Sequence, residues 1–199
     1  MAENNMNKES QTLRVLYRNL FSRLKDLIAN PGRAWRSILP EQVQVNEILA
    51  RFNLPLIGAY TAATFIGYLI YHQGLSFDYA LKHAIFAFSS CFFGLYLAWF
   101  ILIKLLPALQ LNESKEDIFK LTAYPSLVIY LIGIINNLFP ETYFFGFLQL
   151  YAGYIIWEGL GLMNYGNKDS RMLQTIVITV ILLALPFIIG KILFRLSPI

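Results

Sequence analysis

The sequence predicts an all-α integral membrane protein: five transmembrane helices preceded by a cytoplasmic amphipathic helix. Two observations carry that expectation. Of 199 residues, 57% are hydrophobic and 14% are charged, against roughly 25% charged in an ordinary soluble domain, and the mean hydropathy is +0.53. The apolar residues are also gathered into long runs separated by short polar gaps. More apolar surface is present than one soluble core of this size hides. Disordered and collagen-like classes are excluded, and a single cysteine, Cys91, excludes a disulfide scaffold or a cysteine-built zinc site.

The first ten residues, MAENNMNKES, are polar and lack the apolar stretch of a cleavable secretory signal. They are expected to form a disordered tail. Residues 11–53 are a basic segment, holding seven of the sixteen Lys and Arg, and Lys8 just before it makes eight. From Leu13 to Ile28 the apolar residues Leu13, Leu16, Tyr17, Leu20, Phe21, Leu24, Leu27 and Ile28 recur at intervals of three and four, which places them on one helical face. Asn30-Pro31-Gly32 is expected to stop this helix. A second short helix is expected from Glu41 to about Phe52, after Pro40.

Residues 54–199 form the membrane domain. Its spans are predicted at about 54–71, 81–106, 118–135, 143–163 and 173–194. Eighteen helical residues cover about 27 Å, close to the thickness of a hydrocarbon core. Helices are expected because lipid offers backbone groups no partner, and the runs lack the alternation of barrel strands. With the N-terminus inside, thirteen of the sixteen Lys and Arg fall on the cytoplasmic side, and Lys82, Lys191 and Arg195 on the other. The last two are expected to snorkel toward the outer headgroups.

The basic segment has two readings. In one it lies in the cytoplasmic headgroup layer, with Arg14, Arg18, Arg23 and Lys25 on anionic lipid and Trp35 as an interfacial anchor. In the other it packs beneath the bundle as a cap. Either leaves room for a protein partner, and nucleic acid is not expected beside a bilayer.

Within the spans Glu158 stands out, because an acidic residue at a helix centre costs roughly 2.5–3.5 kcal/mol. Lys104 and Lys120, at similar depth, are its expected partners in an intramembrane polar cluster. The rival reading makes Glu158 the ion-coupling carboxylate of a small transporter or channel component. Gly58, Ala62 and Gly67, with Ala87, Ser90, Gly94 and Ala98, read as seams for close helix approach, or for self-association into a homo-oligomer. Pro125 and Pro186 are expected to kink the third and fifth spans. No catalytic motif, phosphate loop or cofactor motif is present, and His72, Asp78 and His83 match no strong metal spacing.

The prelude LIANPGRAWRSI, the third span's TAYPSLVIY and the fourth span's end WEGLGLMNYGNKDSRML come in an order that resembles the Ypt-interacting protein (YIP) domain family, in its small bacterial form. The resemblance runs over residues 25–195. It implies five transmembrane helices, a cytoplasmic N-terminus, an opposite C-terminus and a place in the bacterial inner membrane. Eukaryotic members bind prenylated Rab-type GTPases in vesicle traffic. Their acidic-Leu-Gly-Tyr and Met-Pro-Leu-Ile-Tyr motifs are absent here, so that partner does not carry over. What the resemblance implies is a non-enzymatic membrane adaptor, scaffold or bilayer organiser.

Overall fold

Where the sequence suggests one amphipathic helix, the computed structural model has a two-helix cap. It describes residues 18–71, 77–105, 107–109, 111, 114–163 and 168–197. The expected tail at 1–10, Leu13, Arg14, Leu16, Tyr17 and His72 lie outside the described residues. Helix α1 occupies residues 18–29 and turns Leu20, Leu24 and Leu27 into the core. Asn30-Pro31-Gly32 ends it and at once starts another. The Asn30 side chain accepts from the Arg33 amide at 3.0 Å, and Pro31 takes the first position of α2 (Pro31–Ile38). Asparagine is a good N-cap and proline loses nothing there, since that N–H has no helical partner anyway. The signal expected as a stop is therefore a stop and a restart.

The next helix begins later than expected, at α3 (Val45–Ile48). A π-helical turn, Leu49–Asn53, joins it to α4 (Leu54–Tyr71). Then follow α5 (Phe77–Leu105), α6 (Lys115–Ala123), α7 (Ser126–Leu138), a 3-10 segment Pro140–Leu150, α8 (Tyr151–Leu162) and α9 (Lys168–Leu196). Helix α4 packs on α5 and α7, and α9 packs on α5 and α8.

Among the described residues four helical stretches are long and apolar enough to cross a membrane: Val45–Tyr71, Phe77–Leu105, Lys115–Leu138 and Ser170–Leu196. The chain is an all-α, multi-pass integral membrane protein. The fourth predicted run differs, because its first half is 3-10 and α8 has only 12 residues. No residue of Pro140–Leu150 is buried, so tertiary packing does not select the α form there.

The stretch Lys115–Leu138 is the hub. Of its most apolar window 67% is buried, against 17% for Ser170–Leu196, and every residue from 118 to 128 is buried. This hub is broken at Tyr124–Pro125, because proline has no N–H to continue the ladder. Two carbonyls beside the break are taken up by side chains. Asn53 Nδ2, from the facing π-helical turn, donates to Ala123 O at 2.9 Å, and Ser126 Oγ donates to Thr122 O at 2.6 Å. Two helix irregularities thus sit opposite one another and complete each other.

The expected small-residue seams are partly formed. A Cβ on Gly94 would meet Pro186 Cγ at 2.8 Å, and Gly67 approaches the Asn137 carbonyl. Ala87, Ser90 and Ala98 are buried. Gly58 and Ala62 instead face outward, and a Cβ at Gly58 would touch nothing within 4 Å.

Candidate functional site

The N-terminal cap meets the bundle on α6 and α8, and most of the residues singled out from the sequence converge there. Amphipathic spacing brings α2 down with Pro31, Ala34, Trp35 and Ile38 inward. Trp35 is fully buried, and its Nε1 donates to Ile155 O on α8 at 2.7 Å. Gly159, one turn further along α8, makes the space. A Cβ there would lie 2.6 Å from Trp35 Cε2 and 3.1 Å from Leu121 Cδ2. Tyr124, at the hub's break, meets Trp35 edge-on at 6.0 Å and Phe52 at 4.8 Å. Tyr151 Oη donates to Ile28 O at 2.7 Å, so α1 is held to α8 as well.

Trp35 therefore anchors the cap to the protein and has no surface of its own. Its apolar area and indole N–H are both used inside, and of the two readings of this segment the packed cap accounts for it. Arg23 is engaged too. It makes a two-pronged bond to Glu41, at 3.0 and 2.6 Å, and lies 5.6 Å from the centre of the Tyr124 ring. Burial works against its charge, but the hydrogen bond and charge of Glu41 prevail and raise its pKa above the ordinary arginine value. Arg18 and Lys25 stay exposed on the outer face of α1, with Phe21 (66% exposed) between them and Ile28 beyond.

The expected cluster of Glu158, Lys104 and Lys120 is not assembled. Lys120 is nearly sequestered, and its Nζ donates to Asp117 Oδ1 at 2.9 Å, Glu41 O at 2.9 Å and Leu39 O at 3.2 Å. Two of these three bonds are to the cap. Lys104 is exposed, with Nζ 5.6 Å from the Phe100 ring centre. Among the described residues Glu158 has neither lysine as an ion-pair partner. Its carboxylate instead faces the first turn of α2, where a Cβ on Gly32 would lie 2.9 Å from Oε2. The carboxylate thus lies near the positive end of the α2 dipole, where negative charge is favoured, and glycine permits the approach.

Three contributors escaped the sequence reading. Asn53 looks like an ordinary polar residue ahead of a span, yet it is fully buried. Asp117 is the local partner of Lys120, three residues away, a spacing visible in KEDIFK. Arg171 lies over the Trp157 ring at 3.9 Å and donates to the Trp157 carbonyl.

A cavity of about 340 Å³ opens between α1 and α3, lined by Arg23, Glu41, Glu47, Arg51, Phe52 and Tyr124 among others. Its charges are internally matched, with Arg51 bound to Glu47 at 2.6 Å as Arg23 is to Glu41. No group of His, Cys, Asp and Glu that could hold a metal occurs among the described residues. Compared with family models, curated proteins and solved structures, the chain finds no match.

Proposed function

We propose that the protein is a five-pass, non-enzymatic membrane adaptor or bilayer organiser of the YIP type, with its cap on the cytoplasmic face of a bacterial inner membrane. The fifth crossing is the run 140–162. Eleven 3-10 residues rise about 2.0 Å each and twelve α residues 1.5 Å each, roughly 40 Å together, enough to traverse a bilayer. The excess of Lys and Arg at the cap end supports the orientation.

One observation supports an organising role above the others. The cap is fastened inward through Trp35, Lys120 and Tyr151, yet α1 turns Arg18, Phe21, Lys25 and Ile28 outward. A rigid platform of alternating cationic and apolar side chains suits anionic headgroups, and a protein partner of unspecified identity can share it. The transport reading has weaker support, since the Glu158 carboxylate lies against the first turn of α2 and, among the described residues, no repeated half with matching broken helices is present.

Full-length protein purified in mild detergent and reconstituted into liposomes tests both readings. Anionic phospholipid retained through purification is expected to fall in the Arg18→Gln/Lys25→Gln variant. Proton or cation flux is expected to be the same for wild type and Glu158→Gln. Flux lost in Glu158→Gln would replace the adaptor with a transporter.

A further inference from the structure

At the end of the bundle away from the cap, a cleft of about 490 Å³ lies between α4, α5, α7 and α9. Its floor is set where Pro186 presses on Gly94. Above that contact the walls carry Tyr60, Tyr68, His83, Asn137, Lys191 and Phe194 among others. A cleft of this size, with several aromatic walls and a few converging polar groups, has the make-up of a small-molecule site.

Two features identify the ligand chemistry. Lys191 lines the cleft and Arg195 follows one turn later on the same face of α9, and both are exposed. Among the described residues neither makes an ion pair, whereas Lys82 is already bonded to Ser197 O at 2.6 Å. His83 is held by Tyr79 O at 2.9 Å through Nδ1 and stacks on Tyr68 at 4.1 Å, which fixes its ring in the wall of the cleft. Lys191 Nζ stands 5.5 Å from the centre of the Phe187 ring, and cations with no carboxylate partner at the mouth of a polar-aromatic cleft select an anion. The second feature is the mouth itself, bordered by the least buried apolar helix, where Phe187, Ile188, Ile192 and Phe194 are all exposed. What reaches such a mouth is a lipid.

We propose that this cleft binds an anionic phospholipid, its phosphate against Lys191 and Arg195, its polar headgroup among Tyr60, Tyr68 and His83, and its acyl chain along Phe187 and Phe194. The proposal rests on the membrane-spanning fold and not on the cap platform, which is at the opposite end. It also accounts for two cations at the end where the charge distribution predicts fewest.

The test uses the full chain in neutral detergent, with native mass spectrometry and thermal shift against three probes: phosphatidylglycerol, phosphatidylcholine and inorganic phosphate. Phosphatidylglycerol is expected to remain bound and raise the melting temperature, while the other two do neither. Lys191→Gln is expected to weaken phosphatidylglycerol binding roughly fivefold, the scale of one cation at a membrane surface. Its melting temperature without lipid should match wild type, because Lys191 is exposed. Lys191→Arg should keep binding, and Gly190→Leu, which fills the cleft without changing charge, should abolish it. Arg18→Gln/Lys25→Gln should leave one tightly held lipid in place, so the two proposals fail separately. Equal binding of phosphatidylcholine, a response to inorganic phosphate that matches the lipid, or wild-type binding by Lys191→Gln would each overturn the assignment.

Discussion

The seat of Trp35 makes a quantitative prediction about the cap. Trp35→Ala empties a fully enclosed site and removes the bond to Ile155 O. Large-to-small changes of this kind cost about 3–5 kcal/mol. Gly159→Ala pushes a methyl group to 2.6 Å from the indole and 3.1 Å from Leu121, and overpacking of this sort costs about 1–3 kcal/mol. Against it, alanine gains about 0.5–1 kcal/mol over glycine in a helix interior. In the double variant the methyl group enters the vacated space, so the overpacking cost disappears and the propensity gain remains. The double variant should therefore be about 1–3 kcal/mol more stable than the sum of the single changes. Reversible unfolding of the full chain in mixed detergent, followed by circular dichroism for all four members of the cycle, measures this coupling. Effects that add to within about 0.3–0.5 kcal/mol would mean that Trp35 and Gly159 do not share a seat, and the cap placement would be wrong.

Further expectations follow from the same junction. Lys120→Met, which withdraws the donor from Leu39 O and Glu41 O at the cap, should cost about 1–3 kcal/mol, while Lys104→Met should stay within about 0.5 kcal/mol; thermal unfolding of the pair separates them. Glu158→Gln removes a carboxylate from the α2 terminus and should cost about 0.3–2 kcal/mol; a larger loss in the same assay would point to a cation partner instead. Asn53→Leu withdraws the donor from Ala123 O beside the Pro125 break and should cost about 1–3 kcal/mol, with faster amide exchange concentrated around residues 121–127. Arg23→Gln breaks a pair that is about a third exposed, so its effect should stay near 1 kcal/mol after solvent screening.

Much of the fold was legible because membrane insertion is a matter of length and hydropathy, both local properties. The four long helices each contain or closely match a predicted run. The cap was half legible. The spacing of Leu20, Leu24 and Leu27 gave the buried face of α1, but a tryptophan in a basic segment looks the same whether it faces lipid or Gly159. That distinction depends on a contact 120 residues away. Glu158 shows the same limit. Its need for a partner could be argued from its position, but a helix terminus supplied by distant residues can meet the need as a lysine does. Lys120 found its carboxylate three residues off, a local signal that the search for a partner to Glu158 passed over. The cleft at the far end was invisible for a similar reason, since its lining comes from four helices and no two neighbouring positions announce it.

The bond from Trp35 to Ile155 also sets an order of events during synthesis. Elongation proceeds at about 5–20 residues per second, so the 120 residues between donor and acceptor take roughly 6 to 24 s to appear. For that interval the cap exists without its seat, its leucines and tryptophan unburied beside the bilayer being filled. An amphipathic basic segment can shelter such a surface against the headgroups while it waits. The segment made first is thus among the last to reach its place, and final docking becomes a checkpoint that only a chain with α8 in place can pass.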